Sequence, residues 1–252
     1  MVHEGSTFYD VDSVFETYMA RRQRKNNPND TLEKPVILEL AGELTNQRIL
    51  DLGCGDATLG REALTRGCQS YLGIEGSSNM VNSAQQILAG TNGKVVHAML
   101  ESWSYPVQAF DLVISRLVLH YIKDIDSVFR QVYQTLTNNG RFVFSIEHPV
   151  ITSCDRGWQG DGPRQDWLVD NYFETGERIT SWMGGQVMKY HRTVENYFVG
   201  LQRAGFVVAS LREAEPERKR FDENDNDTYQ RRKRIPLFLI MAGQKNSIEH
   251  RT

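Results

Sequence analysis

Cysteine is scarce in this chain: three in 252 residues, at Cys54, Cys68 and Cys154. They are too few and too scattered for a disulfide framework or a zinc site, so the fold has to stand on a packed core and no metal is expected. Long apolar runs are missing as well. Nothing approaches the roughly 18 uninterrupted apolar residues of a membrane span, and MVHEGSTFYDVD contains no apolar signal segment. The expectation is a soluble, cytoplasmic protein with no membrane partner. Charge of neither sign dominates, with 29 Lys and Arg against 32 Asp and Glu, a net of -3. Such a balance gives no global pull toward nucleic acid or an anionic surface. Internal repeats are absent too, and the length suits one large α/β domain, a monomer or a homodimer.

What is present centres on Arg48–Glu75. Ile49 to Leu52 is a short apolar run carrying one acid, Asp51, and Gly53 and Gly55 follow at once. A helix-like segment, Leu59 to Thr65, leads to a second run, Tyr71–Ile74, that ends on Glu75. Strand, glycine turn, helix, strand and terminal acid form the opening half of a doubly wound sheet. The glycines allow a sharp turn and a close ligand approach. Glu75 stands 20 positions after Gly55, where an acid on the second strand grips both hydroxyls of a ribose. A dinucleotide fingerprint wants a third glycine where Thr58 stands, and no Lys-Ser/Thr follows to make a phosphate-cradling loop. Asp51 would repel a phosphate and suits a ligand that carries an amine.

ILDLGCGDA (49–57), GIEGSSNM (73–80) and FDLVISRLVLHYI (110–122) together resemble the class I S-adenosylmethionine-dependent methyltransferases. The resemblance implies a mostly parallel seven-stranded sheet flanked by helices, and a cofactor site at Asp51, Gly53, Cys54, Gly55, Glu75 and Gly76. Met80 is then placed to lie against the adenine. The third strand, read over Lys94–Met99, ends on Met99 where the family usually has an acid, so Glu101 or the backbone amide of Leu100 is expected to read the adenine amine. Asp111–Ser115 is the fourth strand, with Ser115 at the site; the following Arg116-Leu117-Val118 lacks the Pro-Pro-Tyr-type loop of DNA-amine methyltransferases, which argues against DNA. In the resembling family a leading segment folds over the cofactor with an aromatic and a basic side chain, and Tyr9, Tyr18 and Arg21 fit those parts.

The remaining chain divides by its periodicity. Val11, Val14, Phe15 and Tyr18 share one helical face within 8–25, making residues 1–45 an N-terminal helical cap. Residues 46–149 form the cofactor-binding core, with a helix over Asp126–Leu136 and a fifth strand over Arg141–Ile146. Val150–Tyr190 breaks the pattern: a long connection holding Trp158, Trp167 and Tyr172, read as a substrate lid inserted after the fifth strand. Residues 191–252 complete the sheet, with a helix over His191–Arg203 and strands over Phe206–Leu211 and Leu237–Ala242.

The titratable groups expected to ring the strand ends are His120, Glu147, His148 and His191. His191, read as the first residue of a helix, is the foremost candidate base, because unpaired N–H groups there keep an imidazole neutral. Arg192 beside it suits a substrate carboxylate. The expected acceptor is a small molecule, aromatic or carboxylate-bearing, methylated on oxygen or nitrogen. An RNA or protein methyltransferase, an NAD-dependent oxidoreductase (disfavoured by Thr58) and a cofactor-binding protein without turnover remain the alternatives.

Overall fold

A computed structural model describes residues 2–159 and 166–246. The chain opens with a short strand β1 (Val2–Glu4), a 3-10 turn over Gly5–Asp10, and helices α1 (Asp12–Arg22) and α2 (Lys34–Ala41). The core then alternates: β2 (Arg48–Leu52), α3 (Thr58–Thr65), β3 (Ser70–Glu75), α4 (Ser78–Leu88), β4 (Lys94–His97), β5 (Phe110–Arg116), α5 (Ile125–Thr135) and β6 (Leu136–Glu147). After β6 come α6 (Pro149–Thr152), the two-residue strands β7 (Trp158–Gln159) and β8 (Asp166–Trp167), and a longer hairpin of β9 (Gly176–Trp182) and β10 (Gly185–His191). The chain ends in α7 (Val194–Arg203), β11 (Val207–Glu213), α8 (Asn226–Arg232) and β12 (Phe238–Gln244).

Seven strands form one sheet in the order β11-β12-β6-β5-β2-β3-β4, and β12 alone runs against the others. Both faces are covered. Leu50 and Leu52 of β2 pack toward Phe129, Val132 and Leu201 of α5 and α7. Ile49 of the same strand packs toward Ile37, Leu59 and Ala84 of α2, α3 and α4. This two-sided burial is why the strand reads as a continuous apolar run. The strand order reverses between β2 and β5, the place where open α/β sheets take ligands at their carboxyl ends. Among the described residues no helix is long and apolar enough to cross a membrane, and no group of His, Cys, Asp or Glu is gathered to hold a metal.

Several local expectations need correction. The first helix starts at Asp12, because Gly5 has φ 48° and opens a tighter 3-10 turn. The third strand stops at His97, short of Met99, and the fifth starts at Leu136, running through Asn139 (φ 61°). The helix expected from His191 starts at Val194. Thr193 caps it: its Oγ1 accepts from Asn196 N at 3.1 Å, and Asn196 Oδ1 accepts from Thr193 N at 2.9 Å.

The largest departure lies in 150–190, where a regular hairpin stands in place of an aperiodic connection. β10 turns Val187, Lys189 and His191 inward, so its buried face carries two polar residues and does not read as apolar alternation. β1 adds to β10 in parallel, Val2 opposite Gln186 and Glu4 opposite Met188. Cap and insertion therefore form a single three-stranded layer, with Phe8 wholly buried beneath it against Val187.

Candidate functional site

The glycine turn follows β2. Gly53 (φ 70°) and Gly55 (φ 58°) both lie in the left-handed region, but they serve different needs. A Cβ on Gly53 would fall 2.3 Å from Val118 Cγ2, whereas one on Gly55 would meet nothing within 4 Å. The first glycine is demanded by the protein's own packing; the second leaves open space. Glu75 ends β3 beside that space, only 6% exposed. Its Oε2 accepts from Gly55 N and its Oε1 from Ser77 N, each at 2.9 Å. Burial raises its pKa against the opposing pull of these backbone N–H groups.

Cys54 turns away from the opening. Its Sγ sits where Gly73 would carry a Cβ, 2.5 Å from that position, and burial pushes its thiol well up. Asp51 points into the sheet's α3 side, where Tyr71 Oη donates to its Oδ2 at 2.8 Å. Burial raises the Asp51 carboxyl to about 6, with the Tyr71 hydroxyl opposing. A Cβ on Gly60 would lie 2.2 Å from Tyr71 Cζ. The glycine that lets helix approach strand is thus present after all, two residues beyond Thr58. Ser115 is spent within the sheet, its Oγ donating to Leu52 O at 2.9 Å.

The N-terminal segment is fastened across this turn. Ser77 Oγ donates to Asp10 Oδ1 at 2.8 Å, and Asn79 Nδ2 donates to Tyr9 O and Asp12 Oδ1, each at 3.2 Å. Gly76 has to be glycine here, since a Cβ would stand 2.3 Å from Ser6 Oγ. Met80 is buried in the first turn of α4, Leu100 is buried nearby in the core, and Glu101 is exposed. Below, Arg116 forks onto buried Glu33, with Nε 3.0 Å from Oε2, and Ser145 Oγ donates to Glu33 Oε1 at 2.6 Å. This network ties the segment before α2 to the ends of β5 and β6.

Over the ends of β5 and β6, side chains from distant parts of the chain converge. Tyr9 and Tyr18 meet edge to face at 5.0 Å, and Tyr9 and Tyr121 pack in the same cluster around Phe8. Lys189 Nζ donates to both oxygens of Glu147, at 2.8 and 2.7 Å. Burial raises the Glu147 pKa, but Lys189, His120 and Arg21 outweigh it, and the net shift is downward. His120 Nδ1 accepts from Glu147 N at 3.4 Å, and burial lowers this imidazole to about 4. Arg21 lies over the Trp182 ring at 4.6 Å, with Lys189 Nζ 5.6 Å from the same ring. Trp182 belongs to the aromatic stretch read as a lid, but Tyr121 and Lys189 had no sequence signal of their own: one is an aromatic residue among many, and a lysine on a strand reads as solvated.

Other candidates sit elsewhere. His191 is fully buried at the end of β10, with Thr152 Oγ1 2.8 Å from Nδ1 and Tyr172 O 2.9 Å from Nε2. Both ring nitrogens are engaged, so it cannot serve as the free helix-terminal base expected of it. Tyr172 packs edge to face on that ring at 5.7 Å and its hydroxyl accepts from Val194 N. Arg192 donates to Ile122 O at 2.8 Å and Lys123 O at 2.6 Å, bracing a loop instead of facing the chamber. His148 caps α6 through Nδ1, and its Nε2 lies 3.0 Å from Glu213 Oε1, too poorly aligned for a hydrogen bond. Trp158 and Trp167 pack on each other at 5.4 Å, with Trp167 Nε1 donating to Val150 O.

Known proteins resemble this chain in sequence and in fold. A family of methyltransferase domains matches residues 49–140. An S-adenosylmethionine-dependent methyltransferase from Mesorhizobium loti is 31% identical at a TM-score of 0.78, over 89% of this chain and 99% of that one. A protein from Listeria monocytogenes, described as a methyltransferase of the same kind, is 32% identical at 0.79, over 85% and 97%. An uncharacterised Haemophilus influenzae protein is 29% identical over 81% of this chain and 85% of its own length. A likeness running nearly the whole length of both solved relatives makes this chain a class I S-adenosylmethionine-dependent methyltransferase with a single domain.

Proposed function

We propose that the enzyme transfers the methyl group to an oxygen or nitrogen of a small molecule held in the chamber over β5 and β6. The observation that carries this reading is the joined layer of β1, β10 and β9, which covers the converging side chains from above. A covered chamber suits a compact acceptor better than a duplex or a folded protein surface. Residues 46–149 then serve the cofactor, 1–45 and 150–190 enclose the acceptor, and 191–252 complete the sheet.

The cofactor's fit is supported by the turn itself. Gly55 offers the space a Cβ would fill, and the Glu75 carboxylate, held by backbone N–H groups at the strand end, faces that space with acceptor capacity left for a ribose hydroxyl. Gly53, Cys54 and Gly76 contribute backbone, Asp51 contributes negative charge behind the turn, and Met80, Leu100 and Glu101 flank the adenine. S-adenosylmethionine supplies an electrophilic methyl on a sulfonium. Tyr18 closes over it from α1, while Arg21, expected to do the same, lies over the Trp182 ring.

Protons set the roles in the chamber. His120 accepts at Nδ1, so its neutral form carries the proton on Nε2 and acts as a donor. Glu147, kept ionised beside Lys189, is the group left to accept a proton from the acceptor. Its lowered pKa makes it a weak base, so positioning, worth up to about 7–11 kcal/mol in favourable cases, carries the larger share. The test is isotope-labelled S-adenosylmethionine incubated with enzyme and fractionated host extract. Label should enter the small-molecule filtrate; label retained on RNA or protein would overturn the small-molecule reading.

A further inference from the structure

The geometry points to an anion anchor at the tip of the β9–β10 hairpin, made of the Trp182 indole N–H and the Arg21 guanidinium, that takes a carboxylate of the acceptor. Three observations converge. Trp182 Nε1 is buried and has no hydrogen-bond partner among the described residues. An unsatisfied buried donor is costly and rare in a native fold, and the usual resolution is a bound water or ligand. Two cations face the same ring, Arg21 at 4.6 Å and Lys189 at 5.6 Å. Of these, Lys189 is already neutralised by both oxygens of Glu147. Arg21 is not: it feels a through-space attraction to Glu147, and no ion pair holds it among the described residues. The corner therefore carries a guanidinium on the face of the indole and an idle N–H donor at its edge. A planar carboxylate satisfies both, one oxygen accepting from Nε1 and the other facing the guanidinium.

Arg192, the sequence's candidate for that role, spends its Nη2 on two loop carbonyls, and its Nη1 is a second buried donor without a partner among the described residues. The acceptor class that follows is an organic monocarboxylate, with its reacting atom reaching from the anchor toward the glycine turn past Tyr9, Tyr18 and Tyr121. This rests on the reading of the chamber as the acceptor site.

The test uses the full chain saturated with S-adenosylhomocysteine and titrated with benzoate, phenylacetate and indole-3-carboxylate against the matched amides. At least one acid should bind on the order of tenfold more tightly than its amide, about 1.4 kcal/mol. Trp182→Phe keeps the ring and its cation contact but lacks the donor, and should erase most of that preference; Arg21→Gln should do the same by removing charge. Acids and amides binding alike, no acid binding at all, or a preference unchanged in Trp182→Phe would each overturn the anchor. The cofactor reading stands or falls separately, on the titration with S-adenosylhomocysteine alone.

Discussion

The glycine turn and the proposed acceptor chamber are built in opposite ways. The turn is a matter of backbone: two left-handed glycines, N–H groups and one strand-end carboxylate, all within Leu52–Ser77. The chamber is a matter of side chains drawn from α1, the loop after β5, the end of β6 and the β9–β10 hairpin. A backbone site tolerates almost any neighbour but no added Cβ. A side-chain site tolerates backbone variation but fails when one charge loses its partner. The two halves should therefore break under different substitutions.

The sharpest contrast lies inside the turn. Gly53→Val drives a branched side chain into Val118 and should abolish folding, seen as loss of the cooperative melt. The Cβ of Gly55→Val meets no protein atom, so the fold should survive with roughly 1–2 kcal/mol of left-handed strain while S-adenosylhomocysteine binding vanishes. A folded Gly53→Val variant, or a Gly55→Val variant that binds normally, would erase the distinction.

In the chamber, Lys189→Ala leaves Glu147 buried without its cation. Loss of one partner from such a pair costs about 3–5 kcal/mol, which denaturant melts would register, while the affinity of the surviving fold for S-adenosylhomocysteine stays near normal. Equal stability would mean that solvent screens this pair. Glu75→Gln should weaken cofactor binding about ten- to hundredfold, the value of a charge-assisted bond of roughly 1.5–3 kcal/mol. Because Glu75 also receives Gly55 N and Ser77 N, Glu75→Ala should lower the melting temperature as well. Calorimetry and melting together separate the two roles.

A smaller effect should appear with acid. His120 is lowered to about 4, and burial lowers His148 and His191 too. Between the ordinary histidine value near 6.5 and about 4, the unfolded chain binds protons that the fold refuses, so stability falls as pH drops through this window. Asp51, raised to about 6, works the other way: its contribution is complete below about 3.8 and fades as pH rises through about 6. His120→Gln should flatten the acid-side loss, and an unchanged slope would remove His120 from its cause. The smallest effect on chemistry is expected for His191→Ala. That variant should melt earlier, losing the links to Thr152 and Tyr172, while methyl transfer by the folded fraction stays within about threefold, under 1 kcal/mol. A large rate loss with normal stability would restore His191 as a base.

The same contrast governs what could be read in the sequence. The turn is contiguous, so Gly53, Gly55 and Glu75 announce their geometry by spacing alone. The close approach of α3 to β3 occurs at Gly60, against Tyr71, a contact that no spacing rule announces. The seven-stranded sheet was legible for the same reason: strands such as Ile49–Leu52, buried on both faces, are apolar throughout. The chamber was legible only in pieces. Tyr9, Tyr18, Arg21, His120 and Glu147 were singled out, but Lys189 and Trp182 sit on a hairpin whose inward face includes Lys189 and His191 and so hides its period. His191 was misplaced because the capping signal of Thr193 and Asn196, two and five residues on, was overlooked.

The parallel pairing of β1 with β10 sets an order in time. The strand at Val2–Glu4 has no partner until Gln186–Met188 exists and has found its own hairpin mate. During synthesis the glycine turn and the strands on either side of it are made long before that. Only three residues of pairing join β1 to β10, so this seam forms late and is among the first to come apart. A protease added to the resting enzyme should find the N-terminal segment first, and the rate of that nicking would serve as a clock for the opening of the chamber.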